Sequence, residues 1–227
     1  YMFNTQPDVI IKKNCIENLL NKTKIYSNFA ILSPTVFHNK IYIQEGDYKI
    51  LKIYKKKFKE TDKPIFNKAY ENPPDGDISV DSVTGTAMLI DREKLKLIND
   101  WDTNIFNYFE DMDLCLRFRL MGYEIIKIRD SEVDHDAFAS HNKNFIKEMD
   151  FSRNWHYSWS RFYFLRKHTN IFNAYIFGIL LLIKSFFKSI FYIFFKKSKS
   201  VTHFAKAYGV FYAILNLKPT YRPKIKL

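Results

Sequence analysis

The sequence predicts an α/β fold, a mixed sheet flanked by helices and followed by an amphipathic helical segment, and three observations carry that reading. Apolar runs of strand length alternate with helical stretches through residues 1–150. All 24 Asp and Glu residues lie at or before Asp150, while residues 151–227 carry 14 Lys and Arg and more than half of the aromatic side chains. With 227 residues, 47% of them hydrophobic, the chain is long and apolar enough for a sizeable core, which excludes a disordered chain.

The elements follow in order. Tyr1-Met2-Phe3-Asn4 reads as a buried strand with no element before it, so the chain is expected to be a fragment. Thr5-Gln6-Pro7-Asp8 is a turn, and Ile11 to Leu20 a helix with Ile16, Leu19 and Leu20 on its apolar face. Ala30 to Pro34 reads as a strand stopped by its proline, Lys40 to Ile53 as a hairpin around Gly46-Asp47, and Lys55 to Gly76 as a basic loop. Val80 to Ile90 is a β-branched run broken by Gly85, and Asp91 is available to cap a short helix after it. Glu110 to Leu120 is a helix with acids at its start, Arg117 and Arg119 near its end and Gly122 at its stop, as the helix dipole favours. Tyr123 to Ile128 returns as a strand. These assignments divide the chain into a sheet domain, residues 1–150, and a basic, aromatic, helical tail, residues 151–227.

A basic, acid-free tail suits nucleic acid or an anionic membrane surface, and the apolar run beside it favours the membrane. The stretch Ile171 to Phe195 is the candidate. Its longest uncharged run, Ile171 to Ile183, has 13 residues, short of the roughly 20 a spanning helix needs. Continuing through Lys184 and Lys188 would cost about 3 kcal/mol for each charge at the bilayer centre. Lys184, Ser185, Lys188 and Ser189 fall near one another on a helix, so a helix lying in the interface with snorkelling lysines avoids that cost. Lys196, Lys197 and Lys199 would extend the contact with headgroups. The alternative is a helix buried against the core. No nucleic-acid-binding motif is present, so nucleic acid is the least favoured partner. Cys15 and Cys115 sit in helical segments without paired spacing and read as reduced structural thiols in a cytoplasmic setting.

Three carboxylates, Glu110, Asp111 and Asp113, within four positions exceed what a helix start requires. Crowding is expected to raise at least one of their pKa values, which would suit a group that takes a proton from a hydroxyl nucleophile. An ordinary acidic first turn is the competing reading. The run Asp81-Ser82-Val83-Thr84-Gly85-Thr86-Ala87-Met88-Leu89-Ile90, then Trp101-Asp102, then Ile105 to Arg117 with Glu110-Asp111-Met112-Asp113, resembles the family 2 glycosyltransferases, in particular the rhamnosyltransferase-like branch. Gly122-Tyr123, Val133-Asp134-His135 and the segment Trp155 to Lys167 continue the similarity over nearly the whole chain.

The resemblance implies a GT-A-type, Rossmann-like fold and inverting transfer from a nucleotide-sugar donor to a glycan or lipid-diphosphate acceptor. Asp111 corresponds to the general base, with Glu110 and Asp113 in support. Gln6-Pro7-Asp8 stands where the family carries its metal-binding acidic signature, so Asp8 is expected to hold Mg²⁺ or Mn²⁺, with His135 as a second ligand. Thr84 and Gly85 would back the sugar or acceptor, Gly85 by letting the backbone approach or, alternatively, by forming a bulge. Arg153 and Arg161 could meet donor phosphates or lipid headgroups. The family's donor-binding start has no counterpart here and is expected to precede Tyr1, so the fragment alone is expected to be inactive. The expected setting is the cytoplasmic face of a bacterial inner membrane, with peripheral or monotopic attachment. The contrasting reading is a non-catalytic membrane-surface module that binds glycan or lipid.

Overall fold

The computed structural model describes residues 1–38, 40–43, 69–70, 73, 75–136 and 145–223. It is a mixed α/β structure that divides into two compact units, one of residues 1–101 and 111–140, the other of 102–110 and 141–227. The predicted hairpin tip around Gly46-Asp47 and most of the basic loop Lys55 to Gly76 lie outside the described residues; within that loop Ala69–Tyr70 forms a short strand.

The first unit is built around two parallel strands, β3 (Phe29–His38) and β8 (Glu124–His135). One edge of β3 pairs antiparallel with β7 (Ala87–Ile90) and then with β4 (Ile41–Ile43). β1 (Met2–Thr5) adds to β7, and β5 (Ala69–Tyr70) to β4. The far edge of β8 carries β6 (Ile78–Val80) and β2 (Val9–Ile11). The sheet is therefore mixed, as predicted, and it is buried at its centre: Phe29 to Val36 are all buried. β1, expected to be buried, is only half-buried because a single described strand pairs with it.

Proline does not stop the strand at residue 34. β3 runs on to His38, because opposite Pro34 the partner skips from Ile128 to Glu132 and so does not require the missing N–H. Thr35 fills the irregularity by donating its hydroxyl to Ile128 O at 3.0 Å. The bulge is fixed from its other side by Asp77, whose carboxylate accepts from Arg129 N at 2.8 Å, Lys22 Nζ at 2.6 Å and Tyr26 OH at 2.9 Å. Burial opposes charge on Asp77, yet these hydrogen bonds outweigh it and hold the carboxyl below its ordinary pKa.

Helix α1 (Cys15–Lys22) packs beside the parallel pair through Cys15 and Leu19. Ile16 and Leu20, read as part of its inner face, are exposed; the buried pair at spacing four is one residue out of phase with the expected apolar face. α2 (Arg92–Leu97) begins as predicted, with the Asp91 carboxylate accepting from Glu93 N and Lys94 N. α3 (Glu110–Leu120) ends at Gly122, whose φ of +85° is the left-handed conformation glycine adopts at low cost. Cys15 and Cys115 are free buried thiols. Burial pushes Cys15 up to about 11 and Cys115 up as well, so neither is a reactive thiolate.

The second unit is helical: α4 (Ile146–His168), α5 (Ile171–Phe195) and α6 (Lys197–Ile214). Its core is aromatic, with Trp155, Trp159 and Phe162 buried against Val210 and Ala213. Small residues let the helices close on one another. At Gly209 an added Cβ would lie 2.2 Å from Trp155 O, and at Gly178 it would lie 2.6 Å from the Phe162 ring. The segment after α6 crosses back over α4: Trp159 Nε1 donates to Leu217 O at 2.9 Å and Tyr221 stacks on Trp155 at 5.5 Å.

α5 is capped by Asn170, whose side chain accepts from Phe172 N and Asn173 N. It is long and apolar enough to cross a bilayer, and most of it is exposed. It is not buried all round as a core helix would be. The polar face predicted for it separates in two: Ser185 and Ser189 are buried against α6, while Lys184 and Lys188 are exposed beside them. Ser189 turns inward because its Oγ donates to Ser200 O at 3.1 Å while Ser200 Oγ donates to Ser189 O at 2.8 Å.

Candidate functional site

In the sheet unit, β1 brings its C-terminal end beside the turn that precedes β7. Thr5 pairs with Ala87, and beyond the strand Gln6 N donates to Thr86 O at 3.1 Å. Thr5 Oγ1 donates to the same carbonyl at 3.1 Å, and Asn4 Nδ2 to Gly85 O at 3.4 Å. Thr84 and Thr86 share a hydroxyl–hydroxyl bond of 2.9 Å. These bonds fix a turn whose middle residue, Gly85, points its N–H at the Asp111 carboxylate, 3.0 Å from Oδ2.

Asp111 is thus oriented from both sides. Its Oδ1 accepts from Met112 N at 2.7 Å, the free amide of the first turn of α3, and its Oδ2 from Gly85. The fold brings Thr84, Gly85 and Asp111 into one polar turn although 26 residues separate the last two. A Cβ built on Gly85 would meet nothing within 4 Å, and its φ is not positive. Open space on that side is what an approaching ligand requires, and backbone conformation does not demand glycine there.

Asp113 has a different environment. Its side chain is completely buried and accepts from Arg117 Nε at 2.8 Å, one helical turn on. Arg117 then donates from one terminal nitrogen to Ile98 O at 2.6 Å and Asp100 O at 2.7 Å. The geometry makes Asp113 the holder of an arginine that caps the turn after α2, a structural task.

At the opposite end of the sheet's hydrogen-bond ladder, β2 pairs with the end of β8, Val9 opposite His135, and Asp136 N donates to Asp8 O at 3.1 Å. Asp8 Oδ1 and His135 Nε2 lie 3.5 Å apart, each side chain 11% exposed. His38 Nδ1 donates to His135 O at 2.8 Å and fixes the backbone there. The two residues proposed from the sequence as metal ligands therefore meet. Among the described residues, no group of three or more His, Cys, Asp or Glu side chains is placed to hold an ion. Two protein donors fit an ion that takes most of its coordination from phosphate oxygens and water, and do not fit a protein-only cage.

Glu110, Arg153 and Arg161 belong to the helical unit. Glu110 follows Tyr108 and Phe109, which have φ of 64° and 67°. Two successive bulky residues in the left-handed region are strained, at about 1–3 kcal/mol each. The strain is held by α4: Ser160 Oγ donates to Asn107 O at 2.7 Å, Tyr157 packs on both rings, and Phe164 packs on Phe109 at 5.5 Å. Burial raises the Tyr108 pKa, with Arg153 opposing and Glu110 adding to it, so all three share one electrostatic neighbourhood. Arg153 also pairs with Asp150 at 3.0 Å, and the Arg161 guanidinium lies 4.6 Å over the Phe177 ring.

Asp102, which the sequence offers only as part of the Trp101-Asp102 pair, has a clear task in the structure. It accepts from Lys167 Nζ at 2.7 Å and Tyr163 OH at 3.0 Å. Burial works against its charge, but Lys167 and Asn104 prevail and bring its pKa down to about 2. His38 was missed altogether; a lone histidine closing an apolar strand was its one signal. No protein-family model matches the chain, and no match is found among curated proteins.

Proposed function

We propose that this chain is from a membrane-associated, GT-A-type glycosyltransferase that moves a sugar from a nucleotide-sugar to a glycan or lipid-diphosphate acceptor with inversion. The observation that supports it best is the Asp111 carboxylate, oriented by Gly85 N–H and the first turn of α3 beside a turn with open space over its glycine.

Attack on an anomeric carbon by a hydroxyl requires a carboxylate to take the hydroxyl proton, and Asp111 has that chemistry in a fixed orientation. The Thr84–Thr86 turn would back the bound sugar or acceptor, with Gly85 keeping a side chain out of its way. Asp8 and His135 would hold Mg²⁺ or Mn²⁺, which when bound offsets charge on a diphosphate leaving group. Glu110 and Arg153 both act electrostatically on Tyr108 in the strained turn, where a phosphate or an acceptor hydroxyl would find one charge of each sign. Asp113 acts through Arg117 as a positioning residue. The helical tail would hold the enzyme against an anionic bilayer, on our reading the cytoplasmic face of a bacterial inner membrane, where a lipid-linked acceptor is found.

The deciding experiment is transfer by the full-length protein across a panel of nucleotide-sugars with Mn²⁺ and lipid-linked acceptors. Asp111→Asn keeps an acceptor for one of the two amides, Gly85 N–H or Met112 N–H, and should lose about 10²- to 10⁴-fold in rate with its circular dichroism spectrum unchanged. Unchanged transfer would remove Asp111 as base. A wild type that neither transfers nor hydrolyses any nucleotide-sugar, yet binds glycan or lipid, would establish the non-catalytic module instead.

A further inference from the structure

α6 carries Lys199, His203 and Lys206 at spacings of four and three, so these side chains leave one face of the helix. α5 meets them with Lys188 and Tyr192. The Tyr192 ring stacks on His203 at 5.5 Å with 8° between planes, and Lys199 Nζ lies 5.2 Å over the same ring. Lys206 is partly buried; burial first, then Lys188 and Arg161, push its pKa down. His203 is lowered by burial and then by Lys206, Lys188 and Lys199. Basic side chains of α5 and α6 thus stand together along the groove between these two helices, and neither helix contains an Asp or Glu. An anion from outside relieves that repulsion.

The groove runs beside an apolar stripe. Phe172, Ile176, Ile179, Ile183, Phe187 and Ile190 recur at spacings of three and four and are each at least 42% exposed. The opposite face of α5 is the small-residue seam of Ala174, Gly178, Ser185 and Ser189. Lys184 and Lys188 lie on the flank between stripe and seam, where snorkelling cations of an interfacial helix belong.

We infer that the groove between α5 and α6, lined by Lys188, Lys199, His203 and Lys206, binds the phosphate headgroups of anionic bilayer lipids, with the α5 stripe buried among the acyl chains beside it. This rests on the membrane reading of the tail and is independent of sugar transfer.

The test is vesicle flotation of the full-length protein on phosphatidylcholine alone and on phosphatidylcholine mixed with phosphatidylglycerol. Wild type should favour the anionic vesicles. The double variant Lys188→Gln with Lys199→Gln, both exposed positions, should bind them about 25-fold more weakly, at roughly fivefold per cation. The control Lys13→Gln with Lys24→Gln removes the same charge from exposed positions of the sheet unit and should lose less than about 5-fold. Equal losses in the two variants, or binding that ignores lipid charge, would overturn the groove alone. Failure of wild type to bind either vesicle would overturn the membrane reading itself. Inorganic phosphate should weaken vesicle binding no more than chloride of equal ionic strength; selective displacement would reassign the groove to a soluble phosphate ligand.

Discussion

In the sheet unit buried carboxylates are met by cations and amides, whereas the helices after residue 168 have no carboxylate and close through aromatic rings and missing side chains. Asp77 gathers Lys22, Tyr26 and the Arg129 amide, and Asp113 holds Arg117. The helical unit instead lets Trp155 and its neighbours approach Gly209 until no Cβ fits. The difference teaches that one chain uses two kinds of cohesion. The first depends on charge and geometry, the second on shape, and each is broken by a different substitution.

The largest effect is expected from Asp113→Ala, which strands Arg117 in a largely buried position and should cost about 3–5 kcal/mol, read from denaturant midpoints with near-UV dichroism. Gly209→Ala should cost the helical unit about 3 kcal/mol, because the colliding atom is a backbone oxygen that cannot swing away. Tryptophan fluorescence should report it through Trp155. Gly178→Ala meets a ring instead and should cost about 1–2 kcal/mol by the same measurement. Equal costs for the two glycines would mean that the helices shift as bodies and that shape does not set their cohesion.

Asp102 is the acid-sensitive point of the helical unit. Its folded pKa is depressed, so its contribution is fully present above its unfolded value of 3.8 and is lost as pH falls through about 2. The stability gap between wild type and Asp102→Asn should therefore shrink from about pH 4 to pH 2. A constant gap would refute the assignment. The smallest effect is Gly85→Ala, which should move stability by less than about 0.5 kcal/mol, since the new methyl meets open space. The same variant should lower transfer if a substrate occupies that space.

Local signals in the sequence were legible and distant ones were not. Asp91 and Gly122 could be placed because a cap and a left-handed stop depend on neighbours a few residues away. Pro34 was misread because its tolerance depends on a bulge in β8, a strand nearly a hundred residues downstream. The inward face of α1 slipped by one position because three apolar residues, Ile16, Leu19 and Leu20, could not decide between adjacent phases. Ser185 and Ser189 were grouped with the lysines because only the partner helix separates them. At the site, the family resemblance pointed to Gly85, Asp111, Asp8 and His135, but the contacts joining them in pairs required the sheet. Asp113 looked like its acidic neighbours until Arg117 and the carbonyls of Ile98 and Asp100 were placed around it.

The parallel pairing of β3 with β8 also sets an order of events during synthesis. Phe29 must wait for Glu124, and Val36 for Val133, before the longest buried run of the sheet has its parallel partner. Loop closure over that distance is slow, and an apolar strand left open in the meantime can pair with another nascent chain. The Ser189–Ser200 seam joins residues 11 apart and can close as soon as it is made. Of these two contacts the later-made one therefore completes itself soonest, and the yield of folded protein should be limited by how well β3 is shielded on the ribosome until β8 emerges.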